Sequence, residues 1–101
     1  MPFASTTGYE FTEKGIAGYA PRESGVYGIC TEKKWIYVGE GKDMEARLYA
    51  HLRGESDESA RILRHSPTMF VFDRCDAATR KAREATLIRE LQPAANIQGL
   101  G

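Results

Sequence analysis

Two short runs of aromatic and β-branched residues, Gly25 to Thr31 and Trp35 to Gly39, flank the polar turn Glu32-Lys33-Lys34. A connection this short cannot cross over a sheet, which takes about a dozen residues or more, so the two runs pair antiparallel as a hairpin. Register follows from the alternation of side chains. With Thr31 opposite Trp35, Ile29 faces Tyr37 and Tyr27 faces Gly39, and both tyrosines share one sheet face. A four-residue loop would put them on opposite faces. The three-residue loop is the expected one, because Gly39 opposite Tyr27 leaves an open space where a substrate reaches the ring.

The rest of the chain supplies what covers this hairpin. Residues 1–24 are weakly patterned and read as a lead-in that packs on the sheet. Within them Thr12 caps a short helical turn, Phe11 and Ile16 staple it, and Pro21 ends it. Asp43 is an N-cap for a helix over Met44 to Arg53 that stops at Gly54, with Met44, Leu48 and Leu52 as its apolar stripe. Arg47 and His51, four apart, project from one side of that helix. Ser56 caps a second, short helix running through Arg64, and Pro67 stops it. Met69-Phe70-Val71-Phe72 is a continuous apolar run, read as a central strand buried on both faces. Asp76 opens the longest helix, Ala77 to Leu91, closed by Pro93. The order β-β-α-α-β-α excludes an all-parallel sheet. The expected fold is α+β, a small three-stranded antiparallel sheet flanked by helices, with a lead-in at 1–24 and a domain at 25–101 that together form one unit.

Charge narrows the function classes. The 14 basic and 14 acidic residues cancel, which argues against a protein held on nucleic acid by bulk electrostatics alone. A local basic surface stays open, since Arg61, Arg64, Arg74, Arg80, Lys81, Arg83 and Arg89 outnumber the acids between residues 60 and 90. No apolar run approaches the roughly 18–20 residues of a membrane span, and the first residues lack the basic start and apolar core of a secretory signal. A cytoplasmic location, away from membranes, is the expectation. Cys30 and Cys75 have no metal-ligand spacing and read as buried, reduced thiols on strands. Stock motifs for nucleotide phosphates, zinc proteases and serine hydrolases are absent.

Glu84 is the most informative single residue. Leu87, Ile88 and Leu91 lie three, four and seven positions beyond it, so it falls within their inward stripe. A carboxylate there is costly unless it is paired, reaches solvent or binds a metal, and Arg80 and Arg47 are the candidate partners. Singly, Arg47 and His51 are ordinary boundary residues, and Tyr27 and Tyr37 are ordinary strand residues.

In order along the chain, these residues resemble the GIY-YIG nuclease domain family. Gly25-Val26-Tyr27 and Tyr37-Val38-Gly39 match its two name motifs with Val for Ile in each. Arg47 and His51 follow on the next helix, Glu84 lies on a late helix, and Pro93 and Asn96 close the match, which runs from Gly25 to Ile97. The resemblance implies a three-stranded sheet flanked by helices and metal-dependent endonucleolytic hydrolysis of nucleic acid, with DNA the expected substrate in repair, recombination or mobile-element processing. It implies catalytic roles for Tyr27, Tyr37, Arg47, His51 and Glu84. Tyr27 would take the proton of the attacking water, Arg47 would meet the phosphate, and Glu84 would hold one Mg²⁺ or Mn²⁺ ion. Substrate contacts fall to Gly39, Lys42 and Asn96, the last bracing the site. Glu40, directly after the second motif, departs from what an anionic substrate favours. A protein partner for targeting is expected, since nothing in the composition supplies one. Two other readings compete: a weakly active module of this fold that binds nucleic acid or docks a partner, and a structural domain in which Glu84 and Arg47 form a buried ion pair.

Overall fold

The computed structural model describes residues 3 and 7–96; residues 97–101 of the expected domain, including Ile97, lie outside the described residues. The elements are β1 (Tyr9–Glu10), α1 (Glu13–Tyr19), β2 (Gly25–Cys30), β3 (Trp35–Gly41), α2 (Met44–Leu52), α3 (Ser59–Leu63), β4 (Met69–Arg74) and α4 (Ala77–Leu91). They build one antiparallel sheet in the order β1-β4-β2-β3. The sheet therefore has four strands, correcting the expected three. β1 is only two residues long and carries no strand pattern of its own. It exists because Tyr9 and Glu10 pair with Phe70 and Met69 on the free side of β4, and the Phe11 amide adds a bond to the Thr68 carbonyl.

The hairpin keeps the expected tyrosine register by a different route. Tyr27 faces Gly39 and Ile29 faces Tyr37, but Trp35 pairs with Cys30 rather than Thr31. Four residues, Thr31 to Lys34, make the turn, closed by the Thr31 amide on the Lys34 carbonyl at 2.9 Å. A bulge between Ile29 and Cys30 leaves Ile36 as the extra residue on β3. One loop residue more and one bulge residue more cancel, so the two tyrosines stay on one face.

That face carries Tyr27, Ile29, Tyr37 and Phe70, packed under Ile16 of α1, Met44 and Leu48 of α2 and Ile62 of α3. The opposite face carries Val26, Val38 and Val71 under Leu87, Ile88 and Leu91 of α4, with Phe3 stacked on Trp35 at 5.5 Å between ring centroids. The result is three layers: α1–α3, sheet, α4. Side chains such as Leu48 and Phe70, with no exposed surface, contribute about 1.5–3 kcal/mol each by burial.

Helix ends follow the sequence closely. Thr12, Asp43 and Asp76 each accept a backbone N–H three residues on, and Gly54 turns the chain after α2 with φ of 76°. The third helix departs from expectation. It starts at Ser59 behind Glu58, and Ser56 lies in the preceding turn instead of capping it. Cys75 lies just past β4 and is partly exposed, where a buried strand position was expected, while Cys30 is buried; both are free. Among the described residues no helix is long and apolar enough to cross a membrane.

Candidate active site

The site grows out of the β2–β3 register. Tyr27 and Tyr37 stand side by side on one sheet face, ring centroids 6.4 Å apart. Gly39 lies beneath them: a Cβ there would sit 2.5 Å from Tyr27 Oη and 2.9 Å from Tyr37 Cε2, so only glycine permits both rings. The open space expected opposite Tyr27 is thus filled by the tyrosine's own hydroxyl end. The hydroxyl turns toward α2, where Met44 and Leu48 anchor the helix on the sheet and aim Arg47 and His51 at the tyrosines.

His51 has no exposed surface. Its Nε2 lies 2.7 Å from Tyr27 Oη, and its Nδ1 lies 2.7 Å from Ser56 Oγ. Its ring also meets Tyr37 edge-on, at 5.1 Å between centroids. Burial, with the Arg47 charge acting in the same direction, pushes the His51 pKa down to about 3, so the imidazole is neutral at neutral pH. Burial pushes the Tyr27 phenol far above its ordinary range, and Tyr37 adds to this, while the charge and hydrogen bond of Arg47 oppose it. Tyr37 is pushed up to about 12, first by burial and then by the carboxylates of Glu58 and Glu84, with Arg47 and Arg61 opposing. Tyr37 therefore stands in the fields of both Arg47, from one side of the sheet, and Glu84, from the other.

Glu84 lies on α4 and is half-buried; among the described residues no hydrogen bond or ion pair reaches its carboxylate. Both expected partners are engaged elsewhere. Arg80 Nε donates to Glu40 Oε1 at 2.6 Å and its Nη1 to Ser24, and Arg47 Nη2 donates to Glu58 Oε1 at 3.3 Å. The buried Glu84–Arg47 pair of the structural-domain reading is thereby excluded. Burial, with the nearby Glu40 charge acting in the same direction and the Lys81 charge opposing, raises the Glu84 pKa. Glu40 is ion-paired with Arg80, which offsets part of the charge it brings next to the site.

The remaining candidates sit at the margin. Lys42 is exposed on the bend between β3 and α2. Asn96 accepts the Val38 amide at 2.8 Å and donates to the Val38 carbonyl at 3.0 Å, imitating a strand partner on the outer edge of β3. Its amide is spent on bracing that edge. Sequence reasoning missed Ser59, the contact of Glu58 with Arg47 and the contact of Ser56 with His51; Ser56 looked like a helix cap, and its distance of five residues from His51 gives no signal of contact.

Among the described residues no group of three or more His, Cys, Asp or Glu side chains forms a metal cluster. The donor set that does fit a cation is one unpaired, partly buried carboxylate with open coordination left for water and phosphate oxygens. Magnesium, which keeps several waters and binds through one or two carboxylates, suits such a set.

Comparison with known proteins agrees with this geometry. The GIY-YIG catalytic domain profile matches residues 23–98. The chain is 33% identical over 97 residues to UvrABC system protein C of Chelativorans sp. (strain BNC1), which covers 92% of this chain. It is 32% identical over 101 residues to the protein of the same name from Bradyrhizobium diazoefficiens, covering 96%. The chain spans only 14% of the length of these two relatives. Its fold resembles the magnesium-bound GIY-YIG N-terminal endonuclease domain of UvrC from Thermotoga maritima, with a TM-score of 0.70 and 27% identity over 85% of this chain and 99% of that one. A point mutant of that domain, bound to its catalytic divalent cation, gives a TM-score of 0.71 at 25% identity, over 86% of this chain and 99% of that one. With the motif residues, the fold and the family profile in agreement, the chain belongs to the GIY-YIG family of endonuclease catalytic domains.

Proposed function

We propose that this domain hydrolyses phosphodiester bonds in DNA, using Tyr27 as the proton acceptor, Arg47 as the phosphate contact and Glu84 as the ligand of one Mg²⁺ or Mn²⁺ ion. The observation that carries this is Glu84, a half-buried carboxylate without a partner whose charge is felt by Tyr37. A carboxylate whose ionisation is disfavoured by burial and by Glu40 gains most from a cation. When bound, that cation supplies Lewis-acid charge to the oxygens of the scissile phosphate.

The residues of the chain divide the remaining work. The Tyr27 oxygen takes a proton from the attacking water as the Tyr27 hydroxyl proton passes to neutral His51 Nε2, so neither a free tyrosinate nor a free hydroxide has to accumulate. The Arg47 guanidinium donates to the non-bridging oxygens and offsets their charge in the transition state. It must exchange Glu58 for phosphate to do so, and the present contact is long and partly exposed. Tyr37, edge-on to His51, orients the phosphate side of the cleft. Gly39 lets the backbone approach closely, Lys42 meets the flanking phosphodiester backbone, and Asn96 fixes the β3 edge that carries Tyr37. The balanced net charge supports reliance on a protein partner for targeting. The relatives' names, UvrABC system protein C and the N-terminal endonuclease domain of UvrC, support an endonuclease that acts as part of a larger protein system.

The test is incubation with nicked, branched and single-stranded DNA in Mg²⁺ or Mn²⁺, with Arg47→Ala alongside. Cleavage that falls by about 10²–10³ in the variant is expected for loss of a donor to transition-state charge. Binding of all these substrates without cleavage in either metal would leave a binding module and defeat the proposal.

A further inference from the structure

The hydrogen bonds do not stop at His51. Its Nδ1 lies 2.7 Å from Ser56 Oγ, Ser56 Oγ lies 2.7 Å from Ser59 Oγ, and Ser59 Oγ donates to the Ala50 carbonyl at 3.2 Å. None of the steps above uses either serine. The two ends of this row have fixed roles. The Arg47 guanidinium carries only N–H groups, so toward Tyr27 it can only donate. The Ala50 carbonyl at the other end can only accept.

Each hydroxyl between them has one proton to give. With the Ser59 proton on Ala50, Ser56 gives its own to Ser59 Oγ, and Ser56 Oγ becomes the acceptor for His51 Nδ1–H. His51 Nε2 is then bare and accepts the Tyr27 hydroxyl proton. The opposite direction would require Ser59 to abandon Ala50, and would leave the buried Tyr27 hydroxyl proton without the acceptor that His51 now offers. Tyr27 and His51 have no exposed surface and Ser59 has 3%, while Ser56 is half-buried; its hydroxyl is held between His51 Nδ1 and Ser59 Oγ at 2.7 Å on each side.

We propose that Ser56 and Ser59 are positioning residues that hold His51 as its Nδ1-protonated tautomer, so that Nε2 receives the Tyr27 proton. This rests on the assignment of Tyr27 as proton acceptor. In the step itself, a water O–H bond breaks as its oxygen bonds to phosphorus, and that proton goes to Tyr27 Oη. The Tyr27 O–H bond breaks and its proton goes to His51 Nε2, while the bond from phosphorus to the leaving oxygen breaks. The imidazolium, bonded to Ser56 Oγ, returns its proton through Tyr27 to solvent after product leaves. The wrong tautomer places a proton on Nε2 and blocks the transfer.

The test combines ¹⁵N NMR of the imidazole nitrogens with cleavage kinetics on the whole chain. Wild type is expected to show a protonated Nδ1 and a bare Nε2. In Ser59→Ala the Ser56 hydroxyl loses its acceptor and turns its proton on His51 Nδ1, so the tautomer inverts. The expected kinetic result is a fall in kcat of about 10–100-fold with KM nearly unchanged, within the ~10²–10⁴ that general acid–base catalysis contributes. Ser56→Ala is expected to show the same loss, and Ser56→Thr, which keeps the hydroxyl, to restore both spectrum and rate. Should Ser59→Ala fail to fold, the Ser56 pair carries the test. A wild-type spectrum with Nε2 protonated overturns the proposal, as does an unchanged tautomer and kcat in Ser56→Ala. Because the spectrum is read without DNA, the expected tautomer in a protein that cleaves nothing would count against the proposed function alone.

Discussion

The Tyr27–His51 hydrogen bond has no exposed surface in the free protein, and this has a consequence for stability. The His51 pKa falls from its ordinary 6.5 to about 3 on folding, so below pH 6.5 the unfolded chain binds a proton that the folded one refuses. The stabilisation is present above pH 6.5 and is lost as pH falls toward 3, at up to about 1.4 kcal/mol per pH unit. Urea titrations of wild type across this window should show it. His51→Gln, which keeps an acceptor for Tyr27 but does not titrate, should have a distinctly shallower slope; an equal slope would remove His51 as its source. A two-residue period made Tyr27 and Tyr37 legible as one sheet face and a four-residue spacing put Arg47 and His51 on one side of a helix, but that the two pairs meet was implied only by the family resemblance. Ser59 and Glu58 were not legible. They reach the site through the turn after α2, whose path depends on where α3 starts, and the cap residues there pointed to Ser56.

At the scale of elements, the hairpin shows how a correct register can rest on a wrong loop. Thr31 to Lys34 is one residue longer than the turn composition suggested, and the bulge at Ile36 restores the alternation. No residue type in that stretch announces a bulge; burial of Ile36 against the core alongside Tyr37 selects it. β1 was similarly silent, since two residues acquire strand geometry only from the β4 edge they cover. The opposite edge is closed by backbone bonds from Ala94 and Ala95 to Trp35 and Ile36 and by the Asn96 amide on Val38. Asn96→Ala leaves both Val38 backbone groups without that partner. Loss of about 1–3 kcal/mol in denaturant titration is expected, with DNA affinity unchanged. A variant of wild-type stability with weakened DNA binding would instead make Asn96 a substrate contact.

Across the whole molecule, α4 brings Glu84 to a sheet whose other side carries Tyr27 and Arg47. Sequence periodicity put Glu84 on the inward stripe, but not which cations would be spoken for. That depends on Glu40 and Glu58 taking Arg80 and Arg47 first. The raised pKa means that the folded state holds the Glu84 proton more tightly than the unfolded state, whose ordinary value is 4.5. Its contribution is favourable below pH 4.5 and is lost as pH rises through the folded value. At neutral pH ionised Glu84 therefore costs stability. Glu84→Gln should raise Tm at pH 7. The gain should vanish in acid, and Mg²⁺ should stabilise wild type but not the variant.

If removing the Glu84 charge stabilises the fold, the residue is kept for another purpose, and the cleavage rate decides what that purpose is. Single-turnover DNA cleavage in Mg²⁺ should fall by at least about 10³-fold in Glu84→Gln, the scale of the several kcal/mol a Lewis-acid ion supplies. The folded, more stable variant would then mark Glu84 as the metal ligand. Cleavage by Glu84→Gln at the wild-type rate in the same Mg²⁺ would contradict the account.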